Sequence, residues 1–162
     1  LKAEHRHDRS IGEFICSINE LMVANTSPEK FVTLFYARFD PREKKLFYSN
    51  AGHNYPILVR QNGHLEFLKK GGTIVGAFGG AAYESDSTPL LPGDTLVVYS
   101  DGLTDASNLD EMFGEERLAR LAVQSRHQDA EGVKNSIVDA VEAFTGSAPP
   151  FDDMTLLVMR AR

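Results

Sequence analysis

Two acidic motifs sit at the ends of two of the most apolar runs in the chain. Thr95-Leu-Val-Val-Tyr-Ser100 runs into Asp101-Gly102-Leu103-Thr104-Asp105, and Asp152-Asp153-Met154-Thr155 opens Leu156-Leu-Val-Met159. Carboxylates at strand ends suit a hard cation such as magnesium or manganese. Such an ion takes oxygen ligands, accepts one or two carboxylates, and keeps waters that can serve as nucleophile. That chemistry is phosphoryl transfer to water. The competing reading makes Asp101-Gly102 a turn and Asp152 a loop acid, because Asp and Gly are ordinary turn residues. Two such motifs together favour the metal.

Within each motif the acids have different prospects. Asp152 and Asp153 are adjacent, so at a strand entrance their side chains leave toward opposite faces and only one can reach a given metal. The other faces solvent or caps. Asp105 follows Asp101 by four residues and either caps the following turn or supports a ligand from behind; the supporting role is preferred.

Other chemistry is weaker. Ser49 or Ser100 with His53 and Asp101 makes a nucleophilic triad on paper, but no Gly-x-Ser-x-Gly elbow accompanies it. His53, in Ser49-Asn-Ala-Gly-His53, either lines a cleft or hydrogen-bonds its turn, with the structural role favoured. Residues 71–82 carry five glycines, yet Gly76 is followed by Ala77 rather than Lys-Ser/Thr, which argues against a phosphate-cradling loop. The single cysteine, Cys16, lacks a paired His or basic neighbourhood and reads as a packed thiol.

Composition narrows the class. The 162 residues are 42% hydrophobic and 25% charged, which suits one soluble domain spanning 1–162. A formal charge of -6 argues against nucleic acid as partner, since that binding relies on basic patches. No apolar run reaches the roughly 18 residues of a membrane span, and Leu1-Lys-Ala-Glu-His-Arg-His has no signal-peptide pattern. With one cysteine, the chain is expected to be cytoplasmic.

The elements that must position the acids follow from periodicity. Ile11, Phe14, Ile15, Ile18, Leu21 and Met22 predict an amphipathic helix to about Asn25, beginning at a Ser10/Glu13 capping box or nearer Leu1. Strands are predicted at 31–39, covered on both faces, and at 46–48, 56–59 and 65–67. Asn62-Gly63 supplies a two-residue primed turn, and the four strands form an antiparallel meander. Pro92-Gly93-Asp94 turns into a central strand at 95–100. Helices follow near 115–124 and 130–144, and a last strand spans 154–160. Antiparallel strands with helices grouped late predict an α+β layered sandwich.

Six ordered segments carry a family resemblance: Phe31-Val-Thr-Leu-Phe-Tyr36, Ser49-Asn-Ala-Gly-His53, Pro92-Gly-Asp94, Tyr99-Ser-Asp-Gly-Leu-Thr-Asp105, Phe113-Gly-Glu-Glu-Arg-Leu118 and Asp152-Asp-Met-Thr-Leu156. Their order resembles the sporulation stage II E-type branch of the metal-dependent (PPM, or type 2C) serine/threonine protein phosphatases. The resemblance implies an αββα sandwich, two mainly antiparallel sheets flanked by helices, with two manganese or magnesium ions at one end. It implies a metal-activated water that attacks phosphoserine or phosphothreonine directly. It makes Asp101 the ligand of the Asp-Gly motif and Asp152 that of the Asp-Asp-x-Thr motif, with Gly102 and Asp153 beside them and His53 unassigned. It further implies the output module of a bacterial signalling regulator, acting on a phosphorylated STAS-type anti-sigma-factor antagonist.

One departure qualifies these expectations. The family's earlier acidic motif and its Gly-Asp-x-x-Gly-x-Gly motif precede the first helix, and residues 1–31 contain neither. The chain is therefore expected to match roughly the last two thirds of the domain, cut from a longer protein or divergent at its front. Two carboxylates should hold a divalent ion weakly. A non-catalytic, partner-binding module is the alternative, and an unpaired sheet edge is expected to drive self-association.

Overall fold

The computed structural model describes residues 10–27, 29–108, 110–148 and 152–162. A helix start nearer Leu1 lies outside them. In chain order the elements are α1 (Ile11–Asn25), β1 (Leu34–Asp40), β2 (Lys45–Ala51), β3 (Ile57–Val59), β4 (Leu65–Phe67), β5 (Gly71–Gly72), β6 (Asp86–Pro89), β7 (Thr95–Tyr99), α2 (Asp101–Thr104), α3 (Gly114–Gln124), α4 (Ala130–Thr145) and β8 (Leu156–Arg160). The class is α+β, with two four-stranded sheets and helices. Each sheet belongs to its own compact unit, Leu1–His53 with Lys69–Pro89 and Asn54–Leu68 with Leu90–Arg162. No helix among the described residues is long and apolar enough to cross a membrane.

In the first unit α1 begins as its sequence predicts. The Ser10 Oγ accepts the Glu13 N–H at 3.2 Å and the Glu13 carboxylate accepts the Ser10 N–H at 3.0 Å, which satisfies donors the helix itself cannot. Ile11 and Ile15 pack with Ala51, Val75 and Tyr83, and Cys16 lies beside this cluster as a packed thiol. Asn19, fully buried, accepts the Gly76 N–H and the Tyr83 hydroxyl and donates to the Phe78 carbonyl. The glycine-rich stretch is thus folded onto α1 rather than shaped around a phosphate. Gly71 pairs in parallel with Asn50 of β2, so closely that a Cβ there would lie 1.7 Å from the Asn50 carbonyl oxygen.

The predicted meander is corrected. β1 and β2 pair antiparallel from Leu34↔Ala51 to Asp40↔Lys45, but β2 then takes β6 and β5 as neighbours, not β3. The polar Asp86-Ser-Thr-Pro89 segment gives no strand signal by composition; the edge offered by β2 makes it one. The strand expected over 31–39 begins at Leu34, and its covering is incomplete. Phe31, Val32 and Phe39 are 57%, 46% and 42% exposed, and β1 lies at the sheet margin.

The second unit is wholly antiparallel, in the order β4-β3-β7-β8, so the apolar β7 is interior as predicted. Leu118 and Ala122 of α3 and Val133, Ile137 and Val141 of α4 form one core with Ile57, Val59, Val97 and Tyr99. The Phe113-Gly-Glu-Glu-Arg-Leu118 motif is structural here. Arg117 donates to the carbonyls of Met112 and Phe113, pairs with Glu111 and stacks 4.7 Å over the Phe144 ring.

The turn between β3 and β4 also differs from its prediction. Arg60 and His64 close a Gln61-Asn62-Gly63 loop through the Arg60 N–H to His64 O bond, and the Gly63 N–H returns to the Arg60 carbonyl. Only Gly63 needs positive φ, at 89°; Asn62 does not have it, so the turn is not of the primed two-residue type. The geometry is that of a longer loop with a glycine bulge. Beneath it Asp94, 3% exposed, accepts the N–H groups of Gln61 and Leu91 and binds Arg60 at 2.8 Å. Arg60 in turn grips Glu66 through two bonds of 2.7 and 2.8 Å.

Candidate metal centre

The register of β7 and β8 brings the two acidic motifs together. The strands pair antiparallel from Thr95↔Arg160 to Tyr99↔Leu156, so the residues that follow Tyr99 lie beside those that precede Leu156. Three bonds carry the pairing one step further. The Ser100 N–H donates to the Thr155 carbonyl at 3.0 Å. The Ser100 Oγ accepts the Thr155 N–H at 2.9 Å and donates to the Asp153 carbonyl at 3.2 Å.

Gly102 completes the approach. A Cβ at this position would lie 2.5 Å from the Asp153 carbonyl oxygen, closer than real side chains come, and 3.4 Å from the Asp152 carbonyl carbon. The chain then turns into α2, closed by the Asp105 N–H to Asp101 carbonyl bond at 2.8 Å. One small residue therefore lets the two acid-bearing backbones touch.

Asp101 and Asp152 are both exposed. In each, Oδ1 accepts the N–H of the next residue, at 2.9 Å from Gly102 and 2.7 Å from Asp153. Neither carboxylate has a further hydrogen-bond partner among the described residues, so each keeps acceptor capacity for an outside group. An all-oxygen, doubly anionic pair fits the donor preference of magnesium or manganese. The set is short, however. Among the described residues no group of three or more His, Cys, Asp and Glu side chains could hold a metal.

The remaining candidates fall in other places. Asp153 lies at the site through its backbone, held by Ser100 and Gly102. Asp105 is the C-cap of α2, its N–H bonded to the Asp101 carbonyl and its carboxylate near the Thr104 hydroxyl at 3.5 Å; among the described residues that carboxylate makes no hydrogen bond to either candidate ligand. His53 belongs to the first unit. There its N–H and carbonyl are both bonded by the buried Asn50 side chain, and its Nδ1 lies 3.2 Å from the Thr33 Oγ1, which is the turn-fixing role.

Two contributors gave no functional signal in sequence. Ser100, considered only as a nucleophile, has its hydroxyl committed to the β7–β8 junction. Tyr99, 1% exposed, donates to Glu115 at 2.6 Å and so ties the end of β7 to the first turn of α3. Burial first, and this bond second, push the phenol well above its ordinary pKa, so it stays a donor at neutral pH.

Comparison with known proteins extends these observations. Residues 1–162 match the family model described as Stage II sporulation protein E (SpoIIE). Protein IcfG of Synechocystis is 32% identical over 130 residues, covering 80% of this chain and 20% of that protein. Phosphoserine phosphatase RsbU of Bacillus subtilis is 24% identical over 147 residues, covering 90% of this chain and 44% of that protein. Among solved structures, the SiaA-PP2C domain of Pseudomonas aeruginosa shares the fold with a TM-score of 0.82 at 20% identity, over 95% of this chain and 61% of that one. The PP2C phosphatase domain of SpoIIE from Bacillus subtilis, solved with a fragment of its regulatory domain, gives 0.75 at 22% identity, over 91% of this chain and 43% of that one. The chain thus spans less than half the length of either curated relative. Matched along its whole length, it belongs to the Stage II sporulation protein E (SpoIIE) family.

Proposed function

We propose that this chain carries the Asp-Gly and Asp-Asp-x-Thr portion of a manganese- or magnesium-dependent protein serine/threonine phosphatase, with Asp101 and Asp152 as its carboxylate ligands. The observation that carries this reading is the meeting of both motifs at the adjoining ends of β7 and β8, through Ser100 and Gly102. Solved relatives include a SpoIIE phosphatase domain presoaked with manganese and RsbX in complex with magnesium, which supports the choice of ions.

A bound divalent ion supplies a water acidic enough to be hydroxide near neutral pH. In hydrolysis the water oxygen forms a bond to phosphorus as the bond to the serine or threonine oxygen breaks, releasing phosphate and the free hydroxyl. The chain's own residues hold and orient. Asp101 and Asp152 offer negative oxygen, Gly102 lets their backbones close, and the β7–β8 ladder fixes the spacing.

The relatives support a substrate class. RsbU is a phosphoserine phosphatase, and a Mycobacterium tuberculosis protein similar to this chain joins RsbU and RsbW domains. The proposed substrate is a phosphorylated STAS-type antagonist, dephosphorylated in the cytoplasm by an output domain that includes residues 1–162. The outer edge of β8, which pairs only with β7 among the described residues and shows Leu157 56% exposed, is the proposed route to self-association. A second reading, a partner-binding module without turnover, is favoured by the shortage of a third ligand.

Hydrolysis of p-nitrophenyl phosphate by the 162-residue chain, with and without manganese, separates the two. Manganese-dependent turnover is expected of the phosphatase. Partner binding with no turnover at any manganese concentration supports the binding module.

A further inference from the structure

We infer that Ser100 is a positioning residue for the metal site: its hydroxyl cross-links the two ligand-bearing segments and sets how tightly they hold a divalent ion. This inference rests on the ligand assignment of Asp101 and Asp152 proposed above. Ser100 immediately precedes Asp101, and its Oγ is bonded to both sides of Met154, accepting the Thr155 N–H and donating to the Asp153 carbonyl. Asp153 is in turn the neighbour of Asp152, and its N–H is taken by the Asp152 carboxylate. A continuous path of hydrogen bonds therefore joins the residue before one ligand to the other ligand itself.

The need for this hydroxyl is topological. The regular β7–β8 ladder ends at Tyr99↔Leu156. Beyond it β7 turns into α2, while residues 152–155 are exposed and outside any strand. Among the described residues, every hydrogen bond from outside that segment to it comes from Ser100. Two of the three use the hydroxyl; the third is its backbone N–H to the Thr155 carbonyl.

With Ser100→Ala the fold survives, because the ladder, the α3–α4 core and the Gly102 contact do not involve the hydroxyl. Asp152 then samples more positions, and ordering it on the ion costs free energy that the native bonds otherwise supply in advance. Partners that orient metal ligands are typically worth 10–100-fold in affinity, and Ser100→Ala is expected at about the lower end. Ser100→Thr retains the hydroxyl and should restore binding.

Isothermal titration of the chain with manganese chloride, for wild type, Ser100→Ala, Ser100→Thr and Asp101→Ala, reads this directly. Thermal melting without metal records any loss of fold. The expected result is weaker manganese binding in Ser100→Ala, recovery in Ser100→Thr, and little change in metal-free melting beside that loss of affinity. Equal affinity of Ser100→Ala and wild type, with binding abolished in Asp101→Ala, overturns the role of Ser100 and leaves the ligand assignment standing. Wild-type binding undiminished in Asp101→Ala overturns the ligand assignment and this inference with it. So does the absence of saturable binding by wild type.

Discussion

Asp101→Asn and Asp152→Asn each lower manganese-dependent kcat/KM by about two to three orders of magnitude, because several kcal/mol of metal-derived stabilisation is lost at about 1.4 kcal/mol per tenfold. Asparagine keeps the side chain's shape and an oxygen that can still accept the next N–H, the bond seen from Gly102 to Asp101 and from Asp153 to Asp152. It removes the negative charge. Both positions are exposed, so folding stability should change by no more than about 0.5 kcal/mol. The double variant should lose little beyond either single one, since under the proposed ligand assignment the carboxylates act on one ion as a unit. Additive losses, or activity that survives either change, would separate the two residues functionally. Steady-state kinetics at saturating manganese, with urea melts alongside, provide the check.

Asp94→Ala produces the largest loss of stability expected in the second unit. Its carboxylate is nearly inaccessible and accepts from Arg60, Gln61 and Leu91 at once. Truncation strands two backbone donors and one arm of a guanidinium. Breaking a buried, hydrogen-bonded pair by removing one partner costs about 3–5 kcal/mol. Glu66 moderates the outcome, because it holds Arg60 through two bonds and is the main reason that the guanidinium's pKa is raised. Arg60 therefore keeps a counter-charge when Asp94 is gone. Asp94→Asn, which keeps an acceptor, should lose distinctly less. Glu111→Ala, at an exposed pair with Arg117, is the control, with an expected cost of about 0–1 kcal/mol. Urea unfolding of the three variants orders them; an Asp94→Ala midpoint matching that of Glu111→Ala would contradict the network.

The contrast between the two candidate ligands and Asp94 shows what sequence could convey. Asp101 and Asp152 were legible as candidates because each stands at the end of an apolar run, and β-strand periodicity makes such ends visible. The helix at Ile11–Asn25 was equally legible, through its apolar spacing and the Ser10/Glu13 box. Asp94 looked like any turn acid, since two of its three partners, Arg60 and Gln61, come from another loop. Ser100 entered only as a nucleophile on paper, set aside because no Gly-x-Ser-x-Gly elbow accompanies it. Its true partners lie across a strand pair. The meander failed for a related reason: hairpins declare themselves locally, but the choice of a third strand does not. β2 found polar β6 and two glycines of β5 instead of apolar β3. Close approach at Gly71 and Gly102 is likewise a tertiary fact, with each glycine marking where another backbone passes.

The central claim is that Asp101 and Asp152 share one divalent ion. Anomalous diffraction from crystals of this chain soaked in manganese tests it most directly. The account predicts a manganese peak within coordination distance of both carboxylates, at the junction of β7 and β8, and no such peak in Asp101→Asn crystals. A manganese peak elsewhere in the chain, with both carboxylates free of metal, would contradict it.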